Sequence, residues 1–266
     1  MRVKLYSILL ILNSFTTGLI VPVLSLLLMD KGATLSSISV IMGIYSFTVI
    51  TFELPSGIMA DLIGRKKTFI MSLIMSLIYS AVILFGRGFF VLCAGIFIYG
   101  LNRAISSGSF EALFIDFYIN EFGKDKMHNA TTLINVLEIL GLSLGALVGG
   151  ILPEVSKNYF QTLATYDLNL LVRIFLIVAV VILSYIFINE TNDYVNNKQI
   201  SLKQHIKDSS NIVIKNKNII CIFISVFSTG FFLSSLETYW QPYFISLMPN
   251  DNLMMLLGVM SFLYFA

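Results

Sequence analysis

Long apolar segments follow one another along the whole chain, and only short polar stretches separate most of them. These segments predict eight helical spans, numbered in chain order, at 5–29, 34–62, 67–86, 89–119, 128–153, 168–189, 218–247 and 252–266, the last of which stops part way. A helix of about 20 apolar residues crosses the roughly 30 Å of bilayer hydrocarbon, and these runs are too long and too uniform for barrel strands. The pattern therefore predicts an all-α, polytopic membrane protein.

Composition and charge agree with this class and orient the chain. Hydrophobic residues make up 57% of the sequence and charged residues 12%, against roughly 25% charged residues in a soluble domain. Most lysines and arginines between the spans fall on one side, and only Lys31, Arg87 and Lys157 fall on the other. By the positive-inside rule, we expect an inner (cytoplasmic) membrane protein with a cytoplasmic amino terminus. The first span lacks a clear small-residue cleavage site, so we expect it to be retained rather than removed as a signal peptide.

One long polar stretch, 189–218, separates six spans from the remainder. We therefore expect three regions: a bundle of six transmembrane helices at 1–189, a cytoplasmic central loop at 190–217, and the start of a second bundle at 218–266. The loop is either a solvated linker or the site of a short helix lying on the membrane surface, because apolar residues recur in it at helical spacing among lysines.

A short polar hairpin with the sequence ELPSGIMADLIGRKK, at 53–67, connects spans 2 and 3. Gly64 suits a turn at the end of a helix, and Gly57 suits the close approach of two backbones. Lys66 either takes part in a charge cluster there or only fixes the orientation of the chain.

The acid in this hairpin needs a partner. Asp61 lies near the carboxyl end of a helix, where the helix dipole disfavours an anion. Arg65 is four residues away, and Asp116 lies at the same depth near the end of span 4. We expect the Arg65 guanidinium to bridge Asp61 and Asp116 and to form a charge cluster at the inner membrane face.

Further charged residues lie inside predicted spans, where each charge costs about 3 kcal/mol on insertion scales. Arg103 in span 4 and Glu138 in span 5 have comparable depths, and we expect them to pair. Protonation of Glu138 would then release Arg103 and couple a proton to a conformational change; alternatively, the pair is permanent and only orients two helices. Glu111 belongs to the proton path or to a gate. Glu53, beside Pro55, faces a cavity or has an architectural role.

Polar and aromatic residues in spans 5 and 7 are candidates for a substrate cavity. Asn135 lies three residues before Glu138, and SSLETYWQPYF in span 7 contributes Glu237, Trp240 and Gln241. Aromatic faces beside a carboxylate would suit an amphipathic or cationic compound. Trp and Tyr are also common anchors at membrane interfaces, an alternative that does not account for Glu237.

The hairpin resembles the signature loop of the major facilitator superfamily. The resemblance rests on Gly57-x-x-x-Asp61-x-x-Gly64-Arg65-Lys66 and on the position of this motif between spans 2 and 3. Pro55 and Ala60 fit the multidrug-efflux-like branches of that family.

Two weaker similarities to the same family lie in spans 4 and 5. Arg103 with Gly108 is similar to an Arg-x-x-x-Gly motif, with the glycine one position late. The sequence Gly141-x-x-x-Gly145-Ala-x-x-Gly149-Gly150 is similar to the antiporter motif, with Ala146 in place of the motif's proline.

The resemblance implies two six-helix bundles around a central cavity, which rock between inward-open and outward-open states. It also implies that Asp61 and its neighbours act as a conformational gate by docking against a helix of the second bundle. On this basis the chain comprises the first bundle and the first one to two helices of the second. We therefore expect either a fragment of a 12-helix protein or a truncated gene product.

We expect a secondary transporter that exports small amphipathic compounds in exchange for protons. The alternatives are a proton-coupled nutrient-uptake symporter on the same fold and a non-transporting truncated product. An enzyme is not expected, because no His, Cys and carboxylate cluster has metal-ligand spacing and no glycine loop suits a phosphate. We expect no metal or cofactor, no nucleic-acid partner, and a monomer in the lipid bilayer whose ligands are small molecules and protons.

Overall fold

The computed structural model describes residues 2–160, 162–188, 217–248 and 254–266. Its contacts divide the chain into two compact units, Met1–Glu190 with Gln241–Ala266, and Thr191–Trp240. The predicted central loop lies outside the described residues except for Lys217, and the predicted domain boundaries stay predictions.

The described part of the chain is helical and contains no strand. The helices are α1 (Arg2–Gly18), α2 (Leu24–Asp30), α3 (Leu35–Ile63), α4 (Arg65–Phe85), α5 (Phe89–Ser107), α6 (Phe110–Phe122), α7 (Met127–Tyr159), α8 (Asp167–Phe187), α9 (Lys217–Leu247) and α10 (Met255–Phe265). Within the described residues, seven segments are long and apolar enough to cross a membrane, and α10 is a shorter apolar helix. The predicted all-α polytopic fold is confirmed, and the protein is a multi-pass membrane protein.

Two of the predicted spans consist of two helices each. Span 1 contains α1, a 3₁₀ turn at Val21–Val23 and α2, because Pro22 lacks a backbone N–H and its ring crowds the preceding turn. Span 4 contains α5 and α6, which separate at Gly108 and Ser109. The Ser109 hydroxyl donates to the backbone oxygen of Ile105 at 3.0 Å, a local bond that competes with a regular helix. Continuous apolar runs predict single helices here, and the structure differs at both places.

A row of glycines lets α1 and α7 pack closely. Gly141, Gly145 and Gly149 recur every four residues on one face of α7. A Cβ at each would collide with a backbone oxygen of span 1, on Ile11, Phe15 and Leu19 respectively. Small residues at this spacing allow two membrane helices to come into backbone contact. The antiporter-like motif of span 5 therefore holds span 1 against span 5.

The last glycine of that motif packs against a different helix. A Cβ on Gly150 would collide with the backbone of Gly258 in α10, and both residues belong to the first compact unit. Because Gly149 and Gly150 are adjacent, they point about 100° apart around α7. This pair of glycines therefore lets α7 contact α1 on one side and α10 on the other.

A buried aromatic cluster holds α6 at the end of the bundle that carries the charged hairpin. Phe69 of α4 stacks on Phe110 of α6 with ring centroids 4.1 Å apart. Tyr6 of α1 stacks on Phe117 at 4.6 Å and meets Phe114 edge-on at 6.3 Å. Burial of these rings fixes α1, α4 and α6 together, and Arg65 lies one turn before Phe69 on α4.

Candidate functional site

The hairpin between α3 and α4 consists of one residue, since α3 ends at Ile63 and α4 begins at Arg65. Gly64 has φ +100° and ψ +144°, a backbone conformation that residues with a Cβ rarely adopt. Glycine therefore allows the chain to reverse direction within one position. The turn places Arg65 at the first residue of α4, where its side chain reaches α6.

Arg65 forms the predicted contact with Asp116. Its Nη1 donates to Oδ2 of Asp116 at 2.5 Å and to the backbone oxygen of Ala112 at 2.8 Å. Its Nη2 lies 4.0 Å from Oδ1 of Asp61, whose side chain is 70% exposed. The guanidinium thus joins α4 firmly to α6, whereas its contact with Asp61 is long and exposed to solvent screening.

Lys66 makes a second connection at the same end of the bundle. Its Nζ donates to the backbone oxygen of Tyr185 at 2.9 Å and lies 5.4 Å from the centroid of that ring. Tyr185 is in the last turn of α8, where unpaired carbonyl groups and the helix dipole favour a cation. Lys66 therefore links α4 to α8, in addition to any effect of its charge on topology.

A groove runs along one face of α3 next to the hairpin. Its lining residues are Ile50, Glu53, Leu54, Gly57, Ile58 and Asp61. The groove is open at Gly57, because a Cβ there would meet no heavy atom within 4 Å. On another side, a Cβ added to Gly108 would lie 3.5 Å from the Gly57 Cα. The backbone of α3 therefore comes close to the α5–α6 break at Gly57, as expected, whereas no other backbone approaches Gly57 on the groove side.

Arg103, Glu111 and Glu138 interact electrostatically with one another. They lie on α5, α6 and α7, and both carboxylates are half-buried, whereas Arg103 is exposed. No ion pair within 4.0 Å joins these three side chains in the described chain. The expected direct pair of Arg103 with Glu138 is therefore not formed. An exposed guanidinium keeps part of its hydration and does not require a direct partner.

The other acid and amide candidates lie apart from this cluster. Glu53 is exposed in the α3 groove, and Asn135 is exposed on α7, three residues before Glu138. Residues three apart share a helix face. Glu237 and Trp240 are on α9 in the second compact unit, where Glu237 is exposed.

Gln241 bonds to the backbone of span 1. Its Nε2 donates to the Val21 oxygen at 2.7 Å, and its Oε1 accepts from the Ser25 N–H at 3.0 Å. In a continuous helix these two backbone groups would bond to each other, but Pro22 interrupts the helix between them. The Gln241 amide thus takes the place of a backbone hydrogen bond. With both polar atoms engaged and the residue 3% exposed, Gln241 does not have the cavity-facing position expected from the sequence.

Lys31, expected from the sequence only to mark the side opposite the basic loops, forms a buried ion pair. Its Nζ lies 2.6 Å from Oδ1 of Asp167 and donates to the backbone oxygen of Leu84 at 2.9 Å. The two charged side chains are 2% and 14% exposed. Asp167 is in the first turn of α8, where the helix dipole favours an anion. The pair joins the ends of α2 and α4 to the start of α8.

Arg173 is a buried charge that the sequence analysis did not single out. It lies on α8 and is 1% exposed. Its Nη2 donates to Oγ of Ser76 at 3.0 Å, and its Cζ lies 5.0 Å from the Tyr79 ring centroid and 5.4 Å from that of Tyr99. An arginine within the apolar run 168–189, five residues from its start, is the sequence signal that could have revealed it.

The chain is similar to a known family and to an individual protein. A sequence profile of the family described as Major Facilitator Superfamily matches residues 6–266. A protein of Bacillus subtilis (strain 168) described as the uncharacterized MFS-type transporter YxaM is 28% identical over 233 residues, which cover 87% of this chain and 56% of that protein. The chain therefore spans about half the length of the curated relative that it matches.

Proposed function

Because the chain belongs to the major facilitator superfamily, we propose that it is a secondary transporter that exports small amphipathic compounds in exchange for protons, by alternating access. The observation that carries proton coupling is the charge cluster of Arg103, Glu111 and Glu138. Two half-buried carboxylates interact there with one cation, and no ion pair with another described residue holds any of the three groups in place.

The charge balance of this cluster supports a role in proton movement. Two ionised carboxylates and one guanidinium carry one net negative charge, which a single proton neutralises. In a partly desolvated region, interactions between charges are several times stronger than in water. Gain or loss of that proton therefore changes the forces among α5, α6 and α7. Since α7 packs on α1 through backbone contacts at its glycines, a shift of α7 would move α1 with it.

The charged hairpin supports a gate at the face of α3 that carries the groove. Arg65 and Lys66 hold the adjacent ends of α4, α6 and α8 together, so these helix ends would move as one group. The exposed carboxylates of Glu53 and Asp61 line the α3 groove. We propose that a cationic segment of a second bundle docks there in one of the two transport states. Following the positive-inside rule, we propose that the gate beside the basic residues 65–67 and the amino terminus lie in the cytoplasm, in a protein of the cell membrane.

The test measures proton movement in liposomes that contain the purified full chain and a pH-sensitive dye. Ethidium, an amphipathic cation, is added outside vesicles whose lumen is acidic. We expect ethidium to accumulate while the luminal pH rises, since each ethidium would enter in exchange for a proton. Glu138→Gln should abolish both changes but retain exchange of labelled for unlabelled ethidium, which needs no net proton movement.

The matched control is Glu121→Gln, which removes an exposed carboxylate at the far end of α6 from the cluster. It should behave as the wild type. Glu111→Gln should resemble Glu138→Gln if the two acids act as a unit. Proton exchange that persists in both cluster variants would show that the cluster only supports the fold. Ethidium movement without any pH change in the wild type would contradict exchange for protons, and no ethidium movement would contradict export of amphipathic cations.

A further inference from the structure

Arg173 is a buried cation whose hydrogen bonds are mostly unmade. Its Nε and Nη1 have no hydrogen-bond acceptor among the described residues, and these two nitrogens carry three of the five N–H donors of an arginine. The described residues also provide no ion pair for this guanidinium. A charge taken out of water is strongly unfavourable unless an opposite charge and hydrogen bonds compensate for it.

The tyrosines around Arg173 compensate for this charge only in part. The faces of Tyr79 and Tyr99 lie within cation–π distance of the guanidinium. Ring faces attract a cation but accept no strong hydrogen bonds from its N–H groups. The Tyr79 side chain is fully buried, and its hydroxyl oxygen interacts with the Arg173 guanidinium. Since a guanidinium has no acceptor, the Tyr79 O–H still has no acceptor among the described residues. Four helices meet at this point, because Ser76 and Tyr79 are on α4, Tyr99 is on α5, and Tyr45 on α3 stacks on Tyr99.

We propose that Arg173 and Tyr79 form a binding site for one small monovalent anion, either chloride or a carboxylate group of similar size. Such an anion would supply the missing opposite charge. It would accept hydrogen bonds from the guanidinium and from the Tyr79 hydroxyl, which are both donors. The site is separate from the cluster of Arg103, Glu111 and Glu138, and its occupancy does not depend on the direction or coupling of transport.

The stacked tyrosines restrict which anions reach the site and by which route. Tyr99 stacks on Tyr79 with centroids 4.5 Å apart and on Tyr45 at 5.2 Å. Tyr45 and Tyr99 are half-buried, whereas Tyr79 and Arg173 are buried. An anion therefore enters past Tyr99, from the side of α3 and α5. We expect divalent anions to be excluded, because a second buried negative charge would have no cation opposite it, and large anions to be excluded, because the stacked rings lie across the entry.

The test is the thermal unfolding of the full chain in detergent at constant ionic strength. Chloride or acetate replaces isethionate, a larger sulfonate anion, in increasing proportion. We expect the Tm of the wild type to rise with chloride or acetate and to level off, because binding to one site saturates. A response to chloride alone identifies the ligand as a halide, and a response to acetate identifies a carboxylate group.

Arg173→Gln should remove this dependence on anions, and Tyr79→Phe should move its midpoint to higher concentration. The control is Arg87→Gln, which removes the same charge from an exposed loop position and should leave the response unchanged. If Arg173→Gln does not fold, Tyr79→Phe and the wild-type titration decide the question. A wild-type Tm that does not change with the anion, or an equal response in Arg173→Gln and the wild type, would show that Ser76 and the ring faces alone hold the guanidinium.

Discussion

Replacement of Lys31 by methionine should strongly destabilise the first compact unit. The side chains of Lys31 and Asp167 are almost completely enclosed, and their charged atoms are 2.6 Å apart. Removal of one member of a buried ion pair leaves the other charge unpaired, at a cost of about 3–5 kcal/mol. Asp30 adds to this cost, because it also interacts electrostatically with both Lys31 and Asp167. We expect Lys31→Met to lower the free energy of unfolding by about 4 kcal/mol.

Replacement of the partner acid, Asp167→Asn, should lower the free energy of unfolding by less than Lys31→Met does. Lys31 would keep its hydrogen bond to the Leu84 backbone oxygen and its attraction to Asp30, so we expect a loss of about 2–3 kcal/mol. When both residues are neutralised, as in Lys31→Met with Asp167→Asn, no member of the pair stays charged. The double variant should therefore be more stable than Lys31→Met alone, with a coupling free energy of at least about 2 kcal/mol.

The assay is equilibrium unfolding of the purified chain in mixed micelles with increasing dodecyl sulfate, followed by circular dichroism. Lys124→Met is the control, because Lys124 is an exposed cation between α6 and α7, away from this ion pair, and its loss should change stability by no more than about 0.5 kcal/mol. The reasoning would be refuted if the effects of the two single replacements simply added in the double variant. It would also be refuted if Lys31→Met cost no more than the control.

Two further predictions concern packing and can use the same unfolding assay. Gly145→Ala should lower the free energy of unfolding by about 1–3 kcal/mol, because its Cβ would strike the backbone of α1. Gly43→Ala, whose Cβ would meet no atom within 4 Å, should raise it by about 0.5–1 kcal/mol through helix propensity; changes of the same sign would contradict the glycine contact. Gln241→Leu should cost about 1–3 kcal/mol, because the Val21 oxygen and Ser25 N–H lose their partner. Unchanged stability would mean that these two bonds do not stabilise the first compact unit.

The turn of the hairpin could be predicted from the sequence because it depends on residues that are neighbours in the chain. Gly64 had to reverse the chain between two apolar helices, and Arg65 follows it directly. Asp116 was found because it is the acid at the matching depth of span 4, and the structure brings it to Arg65. The pair of Arg103 and Glu138 was expected on the same argument of depth. It did not form, because depth does not specify which way a helix face is turned.

The sequence by itself determined the approximate limits of the apolar spans, although not the breaks within spans 1 and 4, since the apolar length needed to cross a bilayer is a property of contiguous residues. Apart from the contact of Arg65 with Asp116, only the tertiary structure decided which polar groups meet across helices. Three such contacts depend on how the helices are rotated and shifted along one another. Lys31 pairs with Asp167, the Gln241 amide bonds at the Pro22 interruption, and tyrosines from other helices enclose Arg173. Backbone contacts at the glycines of α7 set part of that register, through interactions between residues far apart in the chain.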